Sequence, residues 1–274
     1  MLHFSHFSFF PTMRFSCCIF SFPACDFRKT MAYYRETIHP IKFVERTIIM
    51  VRVACCWDDG METDLRLIEL LKKYHAKATF NLNPGLYYPD RRRTSGWQFP
   101  DNPHFINRSF SLKELPEVYH GFRIASHGYF HADLRKVTTE EYVYDATEAR
   151  KVLEDLFRME IPGFVYGGGH CSEEAARALA DAGFVYGRTV ENTDHVLQIS
   201  NPLLLKSSAH FRHGDFLDRF EAAKRENGVF YFWGHSCEMQ DREAEWETFE
   251  QRLAQIANDP ETRWIDVVDI VRPS

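Results

Sequence analysis

The sequence predicts an α/β protein in which six to eight strand–helix units close into a (β/α) barrel. From residue 51 onward, short apolar runs alternate with longer segments whose apolar residues recur at helical spacing, which is typical of parallel strands joined by helices. The run at 51–57 is almost continuously apolar, as expected of a strand that is buried on both faces. The chain of 274 residues is also long enough for a single barrel, since such barrels have about 250 residues. An open, doubly wound sheet is the alternative.

The predicted elements follow one another in a regular order. Apolar runs predict strands at 51–57, 78–83, 122–126, 164–166, 184–190, 203–206, 229–233 and 264–268. Helical spacing predicts helices at 62–73, 138–157, 172–182, 216–226 and 243–258, with a shorter one beginning after Ser111. Capping boxes formed by Ser111 with Glu114 and by Thr138 with Glu141 support two of these helix starts. The stretch 84–107 is a long excursion rich in proline, glycine and arginine.

The beginning of the chain, over the first thirty residues, differs from the rest. The first thirty contain eight of the 24 phenylalanines and a single acidic residue, Asp26, without hydrophobic periodicity. We interpret 1–49 as a leader outside the folded domain, produced by a start assigned upstream of Met50, and we expect it to be dispensable. A cryptic export signal is the alternative, because 22–25 faintly resembles a lipoprotein cleavage box. The catalytic domain is predicted at 50–274.

Composition disfavours several classes of protein. The 33 basic and 39 acidic residues give a net charge of −6, so the chain lacks the basic character of a nucleic-acid-binding protein. No apolar stretch approaches the ~18 residues of a membrane span. The seven cysteines are an odd number and form no CxxC pair, which favours a reducing compartment and a cytoplasmic location.

Two adjacent carboxylates close the first predicted strand. Asp58 and Asp59 stand in the segment 57–60, with the sequence WDDG. Like charges placed side by side repel each other unless a metal ion neutralises one of them. Alternate side chains of an extended segment point apart, so one carboxylate could bind a metal while the other faces a substrate. An ordinary polar turn is the alternative, because Asp-Gly is a common turn signal.

Two histidines follow the strand at 122–126. His127 and His131 lie four positions apart in the sequence SHGYFH. In a parallel barrel the active site lies at the carboxyl ends of the strands, which is where this pair and the Asp pair are predicted to meet. Two imidazoles and one carboxylate form an open site for zinc or another divalent ion. A solvated loop is the alternative.

Two more strand ends carry candidate residues. Tyr166 precedes three glycines, whose backbone can approach a ligand closely and donate an N–H to an oxyanion. His235 follows the strand 229–233, where an imidazole suits a general acid near neutral pH. A plain loop and a structural histidine are the alternatives. His210 and His213 lie near another strand end and are interpreted as loop histidines.

Three of these segments together resemble a known family. Segments 57–60, 126–131 and 233–236 resemble the first, second and fifth motifs of the polysaccharide deacetylases, the NodB-homology group or carbohydrate esterase family 4. The resemblance covers about residue 50 to the C-terminus. It implies a distorted (β/α) barrel, often of seven strands, and metal-dependent hydrolysis of N- or O-acetyl groups on an acetylated carbohydrate.

The resemblance also implies a role for each matching residue. It makes Asp58 the general base and His235 the general acid, and it has the backbone N–H of Tyr166 stabilise the oxyanion. It assigns a divalent metal ion, expected to be zinc, to Asp59, His127 and His131.

The third motif departs from the family pattern. The family usually has Arg-x-Pro-Tyr there, and that arginine holds the catalytic aspartate, whereas segment 163–166 reads GFVY with Gly163 in the arginine position. We predict that Arg188, at the next strand end, lies within reach of Asp58 and takes this role. Otherwise the catalytic apparatus is weakened.

The favoured function is therefore carbohydrate deacetylation by a metal-dependent hydrolase. A hydrolase of small non-sugar C–N bonds, such as ureides or cyclic imides, is one alternative, because relatives of this fold also cleave such bonds. A catalytically silent sugar-binding barrel is the other, and the missing motif arginine is the reason for considering it. The sequence favours no particular sugar and no particular oligomeric state.

Overall fold

The computed structural model describes residues 50–193 and 197–272; the predicted leader 1–49 lies outside them. The strands are β1 (Val51–Asp58), β2 (Thr79–Leu82), β3 (Arg93–Thr94), β4 (Arg108–Ser109), β5 (Arg123–Ser126), β6 (Gly163–Val165), β7 (Tyr186–Asn192), β8 (Leu205–Ser207), β9 (Ala209–His210), β10 (Val229–Gly234) and β11 (Thr262–Trp264). The α-helices are α1 (Asp64–Lys73), α2 (Leu115–Val118), α3 (Thr139–Phe157), α4 (Glu173–Asp181), α5 (Phe216–Arg225), α6 (Glu243–Ala257) and α7 (Val268–Val271).

The main sheet is parallel and closes on itself. Its hydrogen-bonded order is β8-β7-β6-β5-β2-β1-β10-β9. The two outermost strands are separated in sequence only by Ser208, so the single stretch 205–210 pairs with β7 at one end of the order and with β10 at the other. Ser208 itself donates its backbone N–H to the carbonyl oxygen of Tyr231, 2.6 Å away in β10. The predicted distorted barrel is therefore confirmed over the open sheet.

The strand count depends on how this closing stretch is treated. With β8 and β9 taken as one bent strand the barrel has seven strands, and taken separately they make eight. A further strand, β11, pairs with the first three residues of β1. The sequence predicted a strand at 264–268, but the strand lies at 262–264 and a helix forms at 268–271.

Successive side chains of β1 point alternately to the outside and to the inside of the barrel wall. Cys55 and Trp57 pack in the cluster that includes helices α1 and α6. Ala54 and Cys56 pack in the second cluster, with residues of β7 and β10 inside the barrel. Asp58 continues the second series, so its carboxylate enters the barrel interior at the carboxyl end of the strand.

The long excursion forms a separate structure beside this end of the barrel. Strands β3 and β4 make a two-stranded antiparallel ribbon in which Arg93 is opposite Ser109. Ser109 also forms an isolated bridge with Met61, directly after β1. The ribbon is thus attached to the loop that follows the Asp pair.

The helix starts follow their sequence signals. Both predicted capping boxes are present, at Ser111 with Glu114 and at Thr138 with Glu141. The first begins a 3-10 turn that leads into α2, and the second begins α3. No helix within the described ranges combines the length and the apolar character that a membrane crossing requires.

Candidate active site

A cavity of about 610 Å³ opens at the carboxyl ends of the barrel strands. Six of the seven predicted site residues line it, namely Asp58, Asp59, His127, His131, Tyr166 and His235. The seventh, Arg188, is buried against Asp58. Strand ends that are far apart in sequence thus meet in one place, as the parallel topology predicts.

Asp59, His127 and His131 form a group suited to a metal ion. One potential ligand atom from each residue lies within 4.8 Å of the others. Oδ1 of Asp59 is 3.6 Å from Nε2 of His127, and the two imidazole rings are edge-to-face with centroids 4.6 Å apart. Two imidazoles and one carboxylate are the donor set of many catalytic zinc sites.

The backbone is strained at two residues of this group. Asp59 has φ of 75° and His131 has φ of 57°, both in the left-handed region that non-glycine residues rarely adopt. Each such residue costs on the order of 1–3 kcal/mol and persists only where its surroundings fix it. The carbonyl of Asp59 accepts a hydrogen bond from the Tyr87 hydroxyl at 2.8 Å, and its N–H donates to the carbonyl of Asn81 at 3.1 Å. Strain at two neighbouring metal-ligand candidates indicates a functional site.

His127 is held in one tautomer. Its Nδ1 lies 3.0 Å from the carbonyl oxygen of Val165, which can only accept, so Nδ1 carries the proton and Nε2 keeps its lone pair. Burial lowers the pKa of His127 to about 4, so the ring is neutral at neutral pH. A neutral imidazole with a free Nε2 is the form that binds a metal ion.

Asp58 is buried and held on both of its oxygens. Oδ1 accepts a hydrogen bond from Nδ2 of Asn81 at 2.7 Å, and Oδ2 accepts one from Nη2 of Arg188. Burial opposes ionisation, but the charge of Arg188, together with His127 and His235, holds the pKa of Asp58 well below its usual range. The predicted contact between Arg188 and Asp58 is therefore present, and Asp58 is ionised at neutral pH.

A steric conflict explains why Gly163 occupies the position where the family usually has arginine. A Cβ atom at Gly163 would lie 2.1 Å from the ring of Tyr186, which faces it from β7. No larger residue fits there without moving a buried tyrosine. Arg188 instead reaches Asp58 from β7, with its guanidinium stacked 4.2 Å from the ring centroid of Trp233. The cation beside Asp58 is thus supplied by β7, the neighbour of the strand β6 that contains Gly163.

His235 differs from His127 in its partners. Its Nδ1 lies 3.2 Å from Oε1 of Glu238, and its Nε2 is 3.7 Å from Asp58 and 3.8 Å from Asp59. Burial opposes the charged ring, but Glu238 and the two aspartates raise the pKa of His235 to about 9. The imidazole is therefore protonated at neutral pH.

Glu238 also contacts a second histidine. Its Oε2 lies 3.1 Å from Nε2 of His210, and the two histidines lower the pKa of the partly buried Glu238 to about 2, against the effect of its burial. The side chains of His210, His235 and Glu238 thus form a second compact group of potential metal ligands. Because their polar atoms already contact one another, we assign this group to holding His235. His213 instead contacts Asp215 at 2.7 Å.

Tyr166 lines the cavity, but its backbone N–H is already in use. It donates to the carbonyl oxygen of Arg188 at 3.1 Å, and the Tyr166 hydroxyl donates to the carbonyl of Leu203 at 2.9 Å. An N–H carries a single proton, so this arrangement does not fit the predicted oxyanion role. Tyr166 serves instead as a buried part of the cavity wall.

Sequence reasoning missed three polar residues of the site. Asn81 orients Asp58, and Glu238 orients His235. Asn83 donates from Nδ2 to the carbonyl of Gly128 at 3.2 Å, in the loop between His127 and His131. The signal for Asn81 was a polar residue within an apolar strand, and the signal for Glu238 was an acid three residues after His235.

Comparisons with known proteins bear on this site. The family model of the polysaccharide deacetylases matches residues 51–187, half of the chain. A Mycobacterium smegmatis protein assigned as a polysaccharide deacetylase superposes with a TM-score of 0.54 at 15% identity, over 81% of this chain and 90% of that one. This similarity supports the barrel fold. A comparison with curated proteins finds no match.

Two further solved structures are less similar. The Bacillus subtilis peptidoglycan deacetylase PdaC has a TM-score of 0.48 at 12% identity, over 81% of this chain and 92% of that one. The Streptococcus pyogenes deacetylase PplD, solved in complex with acetate, has a TM-score of 0.43 at 21% identity. That match spans 55% of this chain and 61% of PplD, which is less than two thirds of its length.

Proposed function

The chain belongs to the polysaccharide deacetylase family, and we propose that it is a metal-dependent hydrolase that removes an N- or O-acetyl group from a carbohydrate. One observation carries the proposal. The Asp58–Asp59 pair stands between a neutral histidine, suited to a metal, and a protonated histidine, suited to general acid catalysis. Hydrolysis of an amide needs both kinds of group within reach of the same bond.

Asp59, His127 and His131 would hold the divalent ion. The fixed tautomer of His127 and the absence of charge on its ring fit this role, and the donor set fits zinc. Three protein ligands leave coordination positions open, as in catalytic rather than structural sites. A bound divalent ion supplies Lewis acidity, which polarises a carbonyl and lowers the pKa of water.

Asp58 would accept the proton of the attacking water. It is ionised because Arg188 lies against it, and Asn81 fixes the direction of its carboxylate. General base catalysis of this kind contributes roughly 10²–10⁴ in rate. The pair of Arg188 with Asp58 supports an active enzyme over a silent barrel, since the aspartate has a cation beside it.

His235 would donate a proton to the leaving amine or alcohol. With Nδ1 held by Glu238, Nε2 is directed toward Asp58 and Asp59 at the cavity. The raised pKa keeps this ring protonated at neutral pH, as a general acid requires.

The cavity wall favours a sugar over a small ureide. Trp97 and Phe130 line the cavity with side chains that are 67% and 63% exposed. Exposed aromatic faces of this kind offer an apolar surface for the C–H groups of a sugar ring. A small cyclic imide would leave most of a cavity of about 610 Å³ unfilled.

The test is acetate release by the full chain, stripped of metal and then reconstituted with several divalent ions. Substrates are N-acetylglucosamine oligomers, acetylated xylan and a cyclic imide, and Asp58→Asn is the inactive control. We expect metal-dependent acetate release from at least one acetylated carbohydrate, with little release by the control. Imide hydrolysis without acetate release, or activity that survives metal removal, would contradict the proposal.

A further inference from the structure

The excursion presents a polar face to the cavity. In the ribbon, Arg93 is opposite Ser109, and the N–H of Ser95 donates to the carbonyl of Asn107 at 2.8 Å, which continues the same register. Positions 93 and 95 on one strand and 107 and 109 on the other share a face because side chains alternate along a strand. All four residues line the cavity.

The other face of the ribbon points away from the cavity. Thr94 and Arg108 are opposite each other and are not among the lining residues. Arg108 lies 3.5 Å from Glu62 in an exposed ion pair. The ribbon therefore carries one arginine toward the cavity, Arg93, and one away from it, Arg108.

Asn107 is the most deeply buried polar residue on the cavity face. It is 3% exposed, and within the described part of the chain its Oδ1 has no hydrogen-bond partner. Its polar neighbour is the weakly polar thiol of Cys237. Asn83, which also lines the cavity, has an unpartnered and buried Oδ1. Buried polar atoms nearly always have partners, so the free Oδ1 atoms of these two cavity-lining residues are unused acceptors beside the space that a ligand would occupy.

Arg93 is a cation without an acidic partner in the ranges 50–193 and 197–272. Its guanidinium donates to the carbonyl of Leu86 at 3.1 Å and lies 5.9 Å from the ring centroid of Tyr88. The other arginine lining the cavity, Arg212, is paired with Glu245 at 3.0 Å. No carboxylate of the described residues lies within ion-pair distance of Arg93, so this wall of the cavity is positively charged.

We propose that the cavity face of the ribbon is a recognition site for a carboxylate-bearing sugar. Arg93 binds the carboxylate, because the guanidinium fork matches its two oxygens. Asn107 pairs with a neighbouring hydroxyl or amide, since its side chain offers both a donor and an acceptor. This inference rests on the proposed function for one point, which is that the substrate is an N-acetylated sugar. It adds that the sugar carries a carboxylate.

The experiment measures binding to the metal-free full chain by calorimetry, so that turnover does not interfere. N-acetylmuramic acid carries its carboxylate on a lactyl group, N-acetylglucosaminuronic acid carries it on the ring, and N-acetylglucosamine is the neutral reference. We expect one of the acidic sugars to bind at least tenfold more tightly than the neutral one. The preferred acid identifies where the carboxylate lies on the sugar.

Two arginine variants separate recognition from general charge. Arg93→Gln should abolish the preference for the acidic sugar, while the matched variant Arg108→Gln, on the opposite face of the same ribbon, should keep it. Asn107→Ala should weaken binding of the acidic sugar and of the neutral one. Equal binding of acidic and neutral sugars, no measurable binding of either acid, or a preference that survives in Arg93→Gln would overturn the proposal. The acetate assay judges the proposed function separately, because it includes neutral substrates.

Discussion

The two sides of the Asp58–Asp59 pair hold histidines of opposite proton affinity. On the side of β5, the pKa of His127 is lowered to about 4 by burial, and on the side of β10, the pKa of His235 is raised to about 9. The difference lies in the partner of Nδ1, which is the Val165 carbonyl for one ring and the Glu238 carboxylate for the other. Beside a neutral partner, desolvation keeps the imidazole unprotonated. Beside an anionic partner, the attraction to the negative charge outweighs desolvation and keeps the imidazole protonated.

This difference divides the site into two regions. In the proposed reaction, the region around His127 and His131 would provide lone pairs to a metal ion, and the region around His235 would provide a proton. Pushing apart the pKa values of two titratable groups is a general way to assign acid and ligand or base roles within one site. Substitutions in either region, or in the residues between them, should therefore separate loss of metal from loss of the proton donor.

The largest effect is expected from the two aspartates, which stand between the regions. Asp58→Asn should keep metal and lower kcat by roughly 10²–10⁴, because it removes the proton acceptor. Asp59→Asn should lose metal, because a neutral amide replaces an anionic ligand. Metal analysis of both purified variants distinguishes them. Equal metal contents, or loss in Asp58→Asn alone, would reverse the assignment, and circular dichroism controls for unfolding caused by the unpaired Arg188.

The next effect separates the two histidines. His235→Gln should lower hydrolysis of acetamido sugars by roughly a hundredfold or more but should change that of aryl acetates little, since a good leaving group needs no acid. His127→Gln should lower both reactions together with the metal content. Rates on the two substrate classes, with metal analysis, provide the measurement. An equal loss on both substrates in His235→Gln would rule out the acid role.

A smaller effect is expected when the buried cation keeps its charge but changes shape. Arg188→Lys loses the guanidinium contact with Asp58 and the stacking on Trp233, and we expect kcat to fall roughly tenfold. KM and metal content should stay close to those of the wild type, because the change acts through Asp58. A rise in KM with unchanged kcat would place Arg188 in substrate binding instead.

The smallest effect is expected from Glu238→Gln. The carboxylate raises the pKa of His235, so its loss should lower that pKa and move the basic limb of the kcat profile to lower pH by on the order of one unit. Activity depends on the protonated ring, so the deficit should be several-fold at pH 9 and slight at pH 6. Glu245→Gln is the control, because Glu245 is a half-buried acid that pairs with Arg212 and has no ion pair with His235. An unchanged basic limb would show that Glu238 does not act on His235.

The site residues that could be predicted from the sequence are those that lie at or near the ends of strands. Asp58, Asp59, His127 and His235 each close or directly follow a strand, so the parallel topology brings them together, and His131 lies four residues beyond His127 in the same loop. Arg188 could be predicted because β7 neighbours the strand that contains Gly163. Tyr186, which fills the space of the missing arginine, carried no signal because a buried tyrosine in a strand looks like any core residue.

The recognition residues could not be predicted in the same way. Arg93 and Asn107 lie in an excursion without hydrophobic periodicity. The strands of its ribbon are only two residues long, which is too short to leave an alternating pattern in the sequence. The orientation of these two side chains toward the cavity depends on the backbone pairing within the ribbon and on the bridge from Ser109 to Met61. These are contacts through space that composition does not encode.

Closure of the barrel also has a consequence for how the chain is made. Asp58 and His235 are 177 positions apart, and at a synthesis rate of about 5–20 residues per second the second appears roughly 10–35 s after the first. Until β10 leaves the ribosome, one edge of β1 has no partner, and exposed apolar edges of this kind favour aggregation. The active site therefore forms only when β10 pairs with β1, so catalytic activity reports that this pairing is complete rather than that the first strands have formed.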